Sequence, residues 1–227
     1  RGMAQGKFVY VPNGVDPAEW TEDASSTLPP SHAAAIRSAR TSGHLLVAYA
    51  GAHGVANALG SMLDAAALLR GEPVTWLLVG GGPEKTALQQ RVAAERLTNV
   101  VMLDPVPKAL IPRLLGEMDV LYIGLQSEPL FRFGISPNKL MDYMMAGRPV
   151  ISAIAAGNDP VTDAGCGLSI VPEDPVALAA AVAQMRELTP EARTALGESG
   201  RTYVRRHHVY PVLARRFLDA VNEVGRR

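Results

Sequence analysis

The chain has 227 residues, 48% hydrophobic and 19% charged, with 22 basic side chains balanced by 22 acidic ones. A chain of this length and polarity can bury one large α/β core or two small ones, which excludes wholesale disorder. Charge balance removes any global electrostatic case for nucleic-acid binding, and a single cysteine, Cys166, excludes an internal disulfide framework or a cysteine-based zinc site.

Residues 8–11 read as a short strand ended by the turn signal Pro12-Asn13-Gly14. From Asp16 to Gly43 the chain is rich in Ser, Thr, Pro and Ala, with one helical pattern over 32–40, as expected of a linker or surface excursion. The apolar run Leu45–Ala50 suits a parallel strand covered on both faces. The tight turn Gly51-Ala52-His53-Gly54 then leads into a long helix over 55–69. Next come a strand over Val74–Val79, the triple glycine Gly80-Gly81-Gly82 and a helix over 84–96. A strand over Val100–Leu103, the loop Val106-Pro107, a helix over 109–115 and a strand over Val120–Gly124 follow.

The segment 133–151 then reads as loop, short helix over 137–146 and buried strand over 149–153. Ser136 is the expected N-cap, Pro137 the first helical residue and Gly147 the stop. Lys139 is the anomaly. A cation in the first turn of a helix is disfavoured by roughly 0.3–1 kcal/mol, because the free N–H groups already present positive charge. Either a solvated lysine or an anion bound before the helix, on Ser136, Pro137, Asn138 and Lys139, accounts for it. Asp142, three residues on, is either its intrahelical ion-pair partner or an acceptor for ligand hydroxyls.

Asn158-Asp159-Pro160 caps a short helix, 167–171 is a last strand, and Pro172-Glu173-Asp174-Pro175 leads into a helix over 176–187. Cys166, in an apolar run, reads as a core residue. In the tail, Tyr210-Pro211 opens a helix with Leu213, Phe217, Val221 and Val224 on one face, expected to pack on protein rather than on lipid. His207 and His208 read as solvated side chains, since adjacent helical residues diverge.

Strands and helices alternating at this spacing predict an α/β fold with a Rossmann-like, doubly wound parallel sheet. Ligands of such a sheet lie beyond the carboxyl ends of its strands. Gly51, Gly54, Gly80, Gly82, Val106, Pro107 and the 136–139 segment therefore line one rim, with His53 and Asn57 beside them. His53 there is either structural or a donor to phosphate. The motifs also exclude. Gly80-Gly81-Gly82-Pro83-Glu84-Lys85 lacks the Gly-Lys-Ser/Thr ending of a P-loop and the third small residue of a dinucleotide fingerprint. The second strand ends on Gly80, where a nicotinamide site wants an acidic residue. Ser136 lacks the Gly-x-Ser-x-Gly context of a hydrolase.

Taken in order, Val11-Pro12-Asn13-Gly14-Val15-Asp16, Tyr49-Ala50-Gly51, Leu78-Val79-Gly80-Gly81-Gly82-Pro83, residues 99–107, Met118-Asp119-Val120 and Gly165-Cys166-Gly167-Leu168 resemble the carboxyl-terminal, donor-binding half of GT-B glycosyltransferases, in particular the family-4 retaining class. Ser136-Pro137-Asn138-Lys139 with Asp142, in place of that family's Glu-x7-Glu signature, is similar to a branch of bacterial polysaccharide-assembly transferases. The resemblance implies a piece of a longer enzyme. Residues 1–43 would be a strand and linker from a missing amino-terminal acceptor domain, 44–200 the nucleotide-sugar domain and 201–227 a carboxyl-terminal helix. It further implies that Lys139 and the helix over 137–146 hold the donor diphosphate and that Asp142 accepts from ribose hydroxyls. His53 and Asn57 stand where the family usually has Arg and Lys, and the first glutamate has no counterpart. The implied reaction is retaining transfer from a nucleotide-diphosphate sugar to a polysaccharide or lipid-linked acceptor, with no metal or other cofactor. Its setting would be the cytoplasm or the inner membrane face. A GT-B sugar-nucleotide epimerase and a non-catalytic nucleotide-binding or interaction domain are the alternatives.

Overall fold

The computed structural model describes residues 9–20 and 27–224. Among them six strands form one parallel sheet in the order β3-β2-β1-β4-β5-β6. The strands are β1 (Leu45–Ala50), β2 (Val74–Val79), β3 (Val100–Leu103), β4 (Val120–Gly124), β5 (Val150–Ala153) and β6 (Gly167–Ser169). The order reverses between β1 and β4, which places a crevice beyond their carboxyl ends.

The continuous apolar strands follow from covering both faces. Leu46, Ala48 and Ala50 of β1 join one core with α1 (Pro30–Thr41), α4 (Ile111–Gly116), α5 (Asn138–Met145), α6 (Pro160–Ala164) and α8 (Pro190–His207). Leu45, Val47 and Tyr49 join the opposite core with α2 (Leu59–Leu68), α3 (Lys85–Ala94) and α7 (Pro175–Glu187). Asp159 and Asp174 cap α6 and α7 through their carboxylates, as Asx residues before proline-led helices should. Cys166 is fully buried, and burial pushes its thiol up to about 12.

Several sequence expectations change. Phe8 of the expected first strand lies outside the described residues, as do 21–26 of the expected linker and 225–227 of the tail; Val9–Val11 are irregular and exposed. Pro12–Gly14 makes no turn. Asn13 instead docks on the loop before α5, and Val15 pairs with Val209. The helix expected over 55–69 is broken: a 3₁₀ turn, Val55–Asn57, ends at Ala58 in the left-handed region (φ 47°) before α2 begins. The helix α8 was not anticipated, because Gly197 and Gly200 interrupt its pattern. Those glycines are where it closes on Gly147 and Cys166. His208 is buried rather than solvated, stacked on Tyr203. The tail helix α9 (Tyr210–Val224) buries Leu213 but leaves Phe217, Leu218 and Val221 more than half exposed.

One hydroxyl fixes α5 to the end of β1. Tyr143 Oη accepts from the Ala50 N–H at 2.7 Å and donates to the Ala50 carbonyl at 3.0 Å, fully buried. Tyr143→Phe would leave both backbone groups without that partner. It should destabilise the fold by about 1–3 kcal/mol in urea titration, with an unchanged m-value.

Candidate functional site

The site is assembled at the carboxyl ends of β1, β2 and β3 and the amino end of α5. The turn after β1 passes beneath the glycine turn after β2, pinned by Gly51 N–H to the Val79 carbonyl (2.9 Å), His53 N–H to the Gly81 carbonyl (2.8 Å) and Glu84 N–H to the His53 carbonyl (2.9 Å). Lys85 ties the second turn to the end of β3. Its ammonium donates to the carbonyls of Gly80 and Leu103 and to Asp104 Oδ1, at 2.9, 3.3 and 2.5 Å.

α5 starts one residue later than the sequence suggests. Pro137, in extended conformation, holds the cap position, and no side chain caps the helix. Ser136 is not the N-cap, because its hydroxyl already accepts from the Asn13 N–H at 3.0 Å and its carbonyl accepts from Asn13 Nδ2 at 2.6 Å. Leu140, Met141, Tyr143, Met144 and Met145 are buried, which leaves Asn138, Lys139 and Asp142 toward the crevice side. Gly147 follows with φ 68° as the expected stop.

Lys139 is half-buried and does not pair with Asp142. Its side chain crosses the end of β1 over Gly51 to the opposite face of the sheet, where the Nζ donates to Tyr49 Oη at 2.6 Å and to Asn57 Oδ1 at 3.0 Å. The crossing uses the glycine: a Cβ at Gly51 would lie 2.6 Å from Lys139 Cε and displace the lysine end from this path. The Ala52 carbonyl closes a ring of hydrogen bonds, accepting from Tyr49 Oη at 2.7 Å and from Asn57 Nδ2 at 3.0 Å. The ammonium also sits 4.2 Å from the centre of the Tyr49 ring. Every one of these partners is neutral, and no acidic side chain among the described residues lies within ion-pair distance of Lys139. Burial therefore lowers its pKa to about 8.

Asp142 points instead into a cavity of about 640 Å³ bounded by Asn13, Asn138, Lys108, Glu19 and Phe217. Burial raises its carboxyl to about 6; the Lys108 cation opposes that rise and Glu19 adds to it. Lys108 and Glu19 form an ion pair of 2.6 Å. A second cavity, about 390 Å³, is lined by Gly51, Ala52, Gly80, Gly81, Pro105 and Val106. Pro107, just beyond it, is exposed and precedes the 3₁₀ turn Lys108–Leu110. Gly54 and Gly82 flank the crossing of the two turns; Gly54 opens toward a different hollow, beside Gln126 and Glu173.

His53 is wholly buried under the crossing, and neither ring nitrogen has a hydrogen-bond partner of normal geometry. Burial and then the Lys85 and Lys139 cations hold it below the ordinary histidine range, partly offset by the Val79 backbone. The crevice thus brings together Gly51, Asn57, Gly80, Val106 and Lys139, with Asn138 and Asp142 beside them. Sequence reasoning missed Tyr49, Lys85, Lys108 and Glu19. A tyrosine in a strand buried on both faces needs a partner for its hydroxyl, and that signal was available for Tyr49.

The sequence matches the family model described as "Glycosyl transferases group 1" over residues 44–187, and the chain belongs to that family. A comparison with curated proteins returns no match. Among solved structures, a glycosyltransferase from Rickettsia africae superposes with TM-score 0.78 at 14% identity, covering 98% of this chain and 58% of that one. A sucrose-phosphate synthase from Thermosynechococcus elongatus gives TM-score 0.73 at 20% identity, covering 94% and 52%. Anabaena HepE, in complex with UDP and glucose, gives 0.70 at 18%, covering 92% and 55%. The fold is therefore the one shared with these GT-B proteins, and the chain spans a little over half the length of each.

The charge on Lys139 sets a pH signature. The unfolded lysine keeps its proton to about 10.5 and the folded one only to about 8, so between those values the unfolded chain binds more protons and stability rises with pH. Below pH 8 the buried charge is a full penalty. Urea titrations of wild type and Lys139→Met should show the variant more stable at pH 7 and the gap closing by pH 10. A gap independent of pH would mean that Lys139 is not buried as a cation.

Proposed function

We propose that this member of the group 1 glycosyl transferases is the donor-binding half of a retaining, family-4-type enzyme of bacterial polysaccharide assembly, and that its crevice holds a nucleotide-diphosphate sugar. The observation that carries this reading is the half-buried Lys139 ammonium. It has neutral partners for two of its three N–H groups, no counter-charge among the described residues, and lies at the uncapped amino end of α5. A diphosphate would supply the missing negative charge, accept the third N–H and take the free backbone donors of the first helical turn.

In this reading Lys139, with Ser136, Pro137 and Asn138 at the helix entry, receives the diphosphate. Gly51 and Gly80 let it approach the backbone, Gly54 and Gly82 shape the two turns, and Asn57 anchors the lysine. Asp142 accepts from the ribose hydroxyls, and Val106 and Pro107 border the base. The buried His53 lies beneath the phosphates and acts on them only through the turn it supports. Bond cleavage leaves negative charge on the departing diphosphate, which the helix terminus and the ammonium stabilise without reorganising. No metal or other cofactor enters. Several neighbours are complexes with UDP or UDP-sugars, which makes UDP the probe of choice.

The acceptor site belongs in this reading to a preceding domain; residues 44–200 form the donor domain, whose core α1 of the expected linker also joins, and in place of one carboxyl-terminal helix the end of α8 is followed by α9, which turns toward that preceding domain. The exposed apolar face of α9, with Phe217, Leu218 and Val221, fits such a return. No described helix is long and apolar enough to cross a membrane. We place the enzyme in the cytoplasm or at the inner membrane face, acting on a polysaccharide or lipid-linked acceptor.

Calorimetry of this chain with UDP tests the reading. Lys139→Ala should weaken binding by about 1.5–3 kcal/mol, roughly ten- to a hundredfold. Asp142→Asn should weaken UDP but leave inorganic pyrophosphate unchanged, and wild-type affinity for UDP should fall as the pH drops below about 6, where Asp142 takes up its proton. Unchanged UDP affinity in Lys139→Ala removes the lysine from the site.

A further inference from the structure

A cation drawn across a strand end into a half-buried position needs something to hold it there. Lys139 leaves α5 on one face of the sheet and ends on the face that Tyr49 occupies. A flexible four-carbon stem could carry the ammonium back to water at little steric cost. Two features oppose that. The Tyr49 hydroxyl has a single proton, and the Ala52 carbonyl takes it at 2.7 Å, so the oxygen turns a lone pair toward Lys139. The same carbonyl accepts from Asn57 Nδ2, which orients the Asn57 amide with its oxygen toward the ammonium. Burial, and secondarily the neighbouring Tyr122, keeps the Tyr49 phenol protonated far above neutral pH, so it serves as a fixed dipole and never as a counter-ion.

We propose that Tyr49 is a positioning residue, whose hydroxyl, oriented by the Ala52 carbonyl, holds the Lys139 ammonium over Gly51 with one N–H left for the incoming phosphate. This rests on the reading that a diphosphate docks at the start of α5. A carboxylate in the place of Tyr49 would neutralise the ammonium and compete with the ligand. A neutral oxygen holds the cation while leaving its charge unspent. The ring beneath the ammonium adds attraction from the same side chain.

Tyr49→Phe isolates the oxygen, since it keeps the ring and its packing. The Lys139 ¹³Cε resonance, assigned by its loss in Lys139→Arg, reports the ammonium directly. In wild type it should titrate near 8. In Tyr49→Phe the midpoint should fall, because the charged form has lost an acceptor while its burial is unchanged. Affinity for UDP at pH 7 should fall roughly tenfold, and its decline on the alkaline side should begin at lower pH. A variant with wild-type midpoint and wild-type affinity overturns the proposal. If the midpoint moves but the wild-type chain binds neither UDP nor pyrophosphate, Tyr49 does position Lys139 and it is the diphosphate reading that fails. A measurement on the wild type alone guards against a variant that does not fold: nuclear Overhauser contacts between the Lys139 Hε protons and the Tyr49 ring should be present at pH 6. Their absence would also overturn the proposal.

Discussion

The structure turns on a positive charge partly withdrawn from water without a negative one beside it. Withdrawing an ammonium from water is unfavourable unless polar groups replace its hydration, and here two neutral oxygens and an aromatic ring do so incompletely. The remaining deficit is what an anion would remove. On the proposed reading, that is why a cation occurs in a helical turn where the backbone already repels it.

Much of the surrounding architecture serves that placement. The reversal of strand order between β1 and β4 opens the crevice, and Gly51 lets Lys139 pass over the end of β1. Tyr143 fixes the distance between α5 and β1 through both backbone groups of Ala50. From behind, α8 secures the far end of α5, where Arg201 donates to the carbonyls of Met145 and Ala146. The opposite wall is held by Lys85, which binds the glycine turn to β3. Two lysines near one crevice therefore do different work. Lys85 is consumed by carbonyls and a carboxylate, whereas Lys139 is left with charge to offer.

The two cavities extend the same logic along a ligand. The glycine-lined hollow beside Val106 admits flat or phosphate-bearing groups close to bare backbone, and the larger hollow presents a half-buried carboxylate at Asp142. The larger hollow is bordered by Asn138 and Asp142 of α5, the smaller by the turns after β1, β2 and β3. Asp142 and Lys139, three residues apart on one helix, do not pair: Asp142 lines the larger hollow, whereas Lys139 is held by Tyr49 and Asn57.

The sequence by itself determined the parallel α/β sheet, because apolar runs such as Leu45–Ala50 and Val74–Val79 can only be strands covered on both faces, and the bounds of β1 to β4 follow directly from them. It also singled out Lys139, through its conflict with the helix dipole, and the glycine turns of the rim. Tertiary structure alone decided where that lysine goes, that Ser136 serves Asn13 instead of capping α5, that His53 and His208 are buried, and that α8 exists despite Gly197 and Gly200. The division has a physical reason. Periodicity and propensity act between neighbours in the chain, whereas the partners of Lys139 lie 82 and 90 residues away, and only the packed sheet brings them within reach.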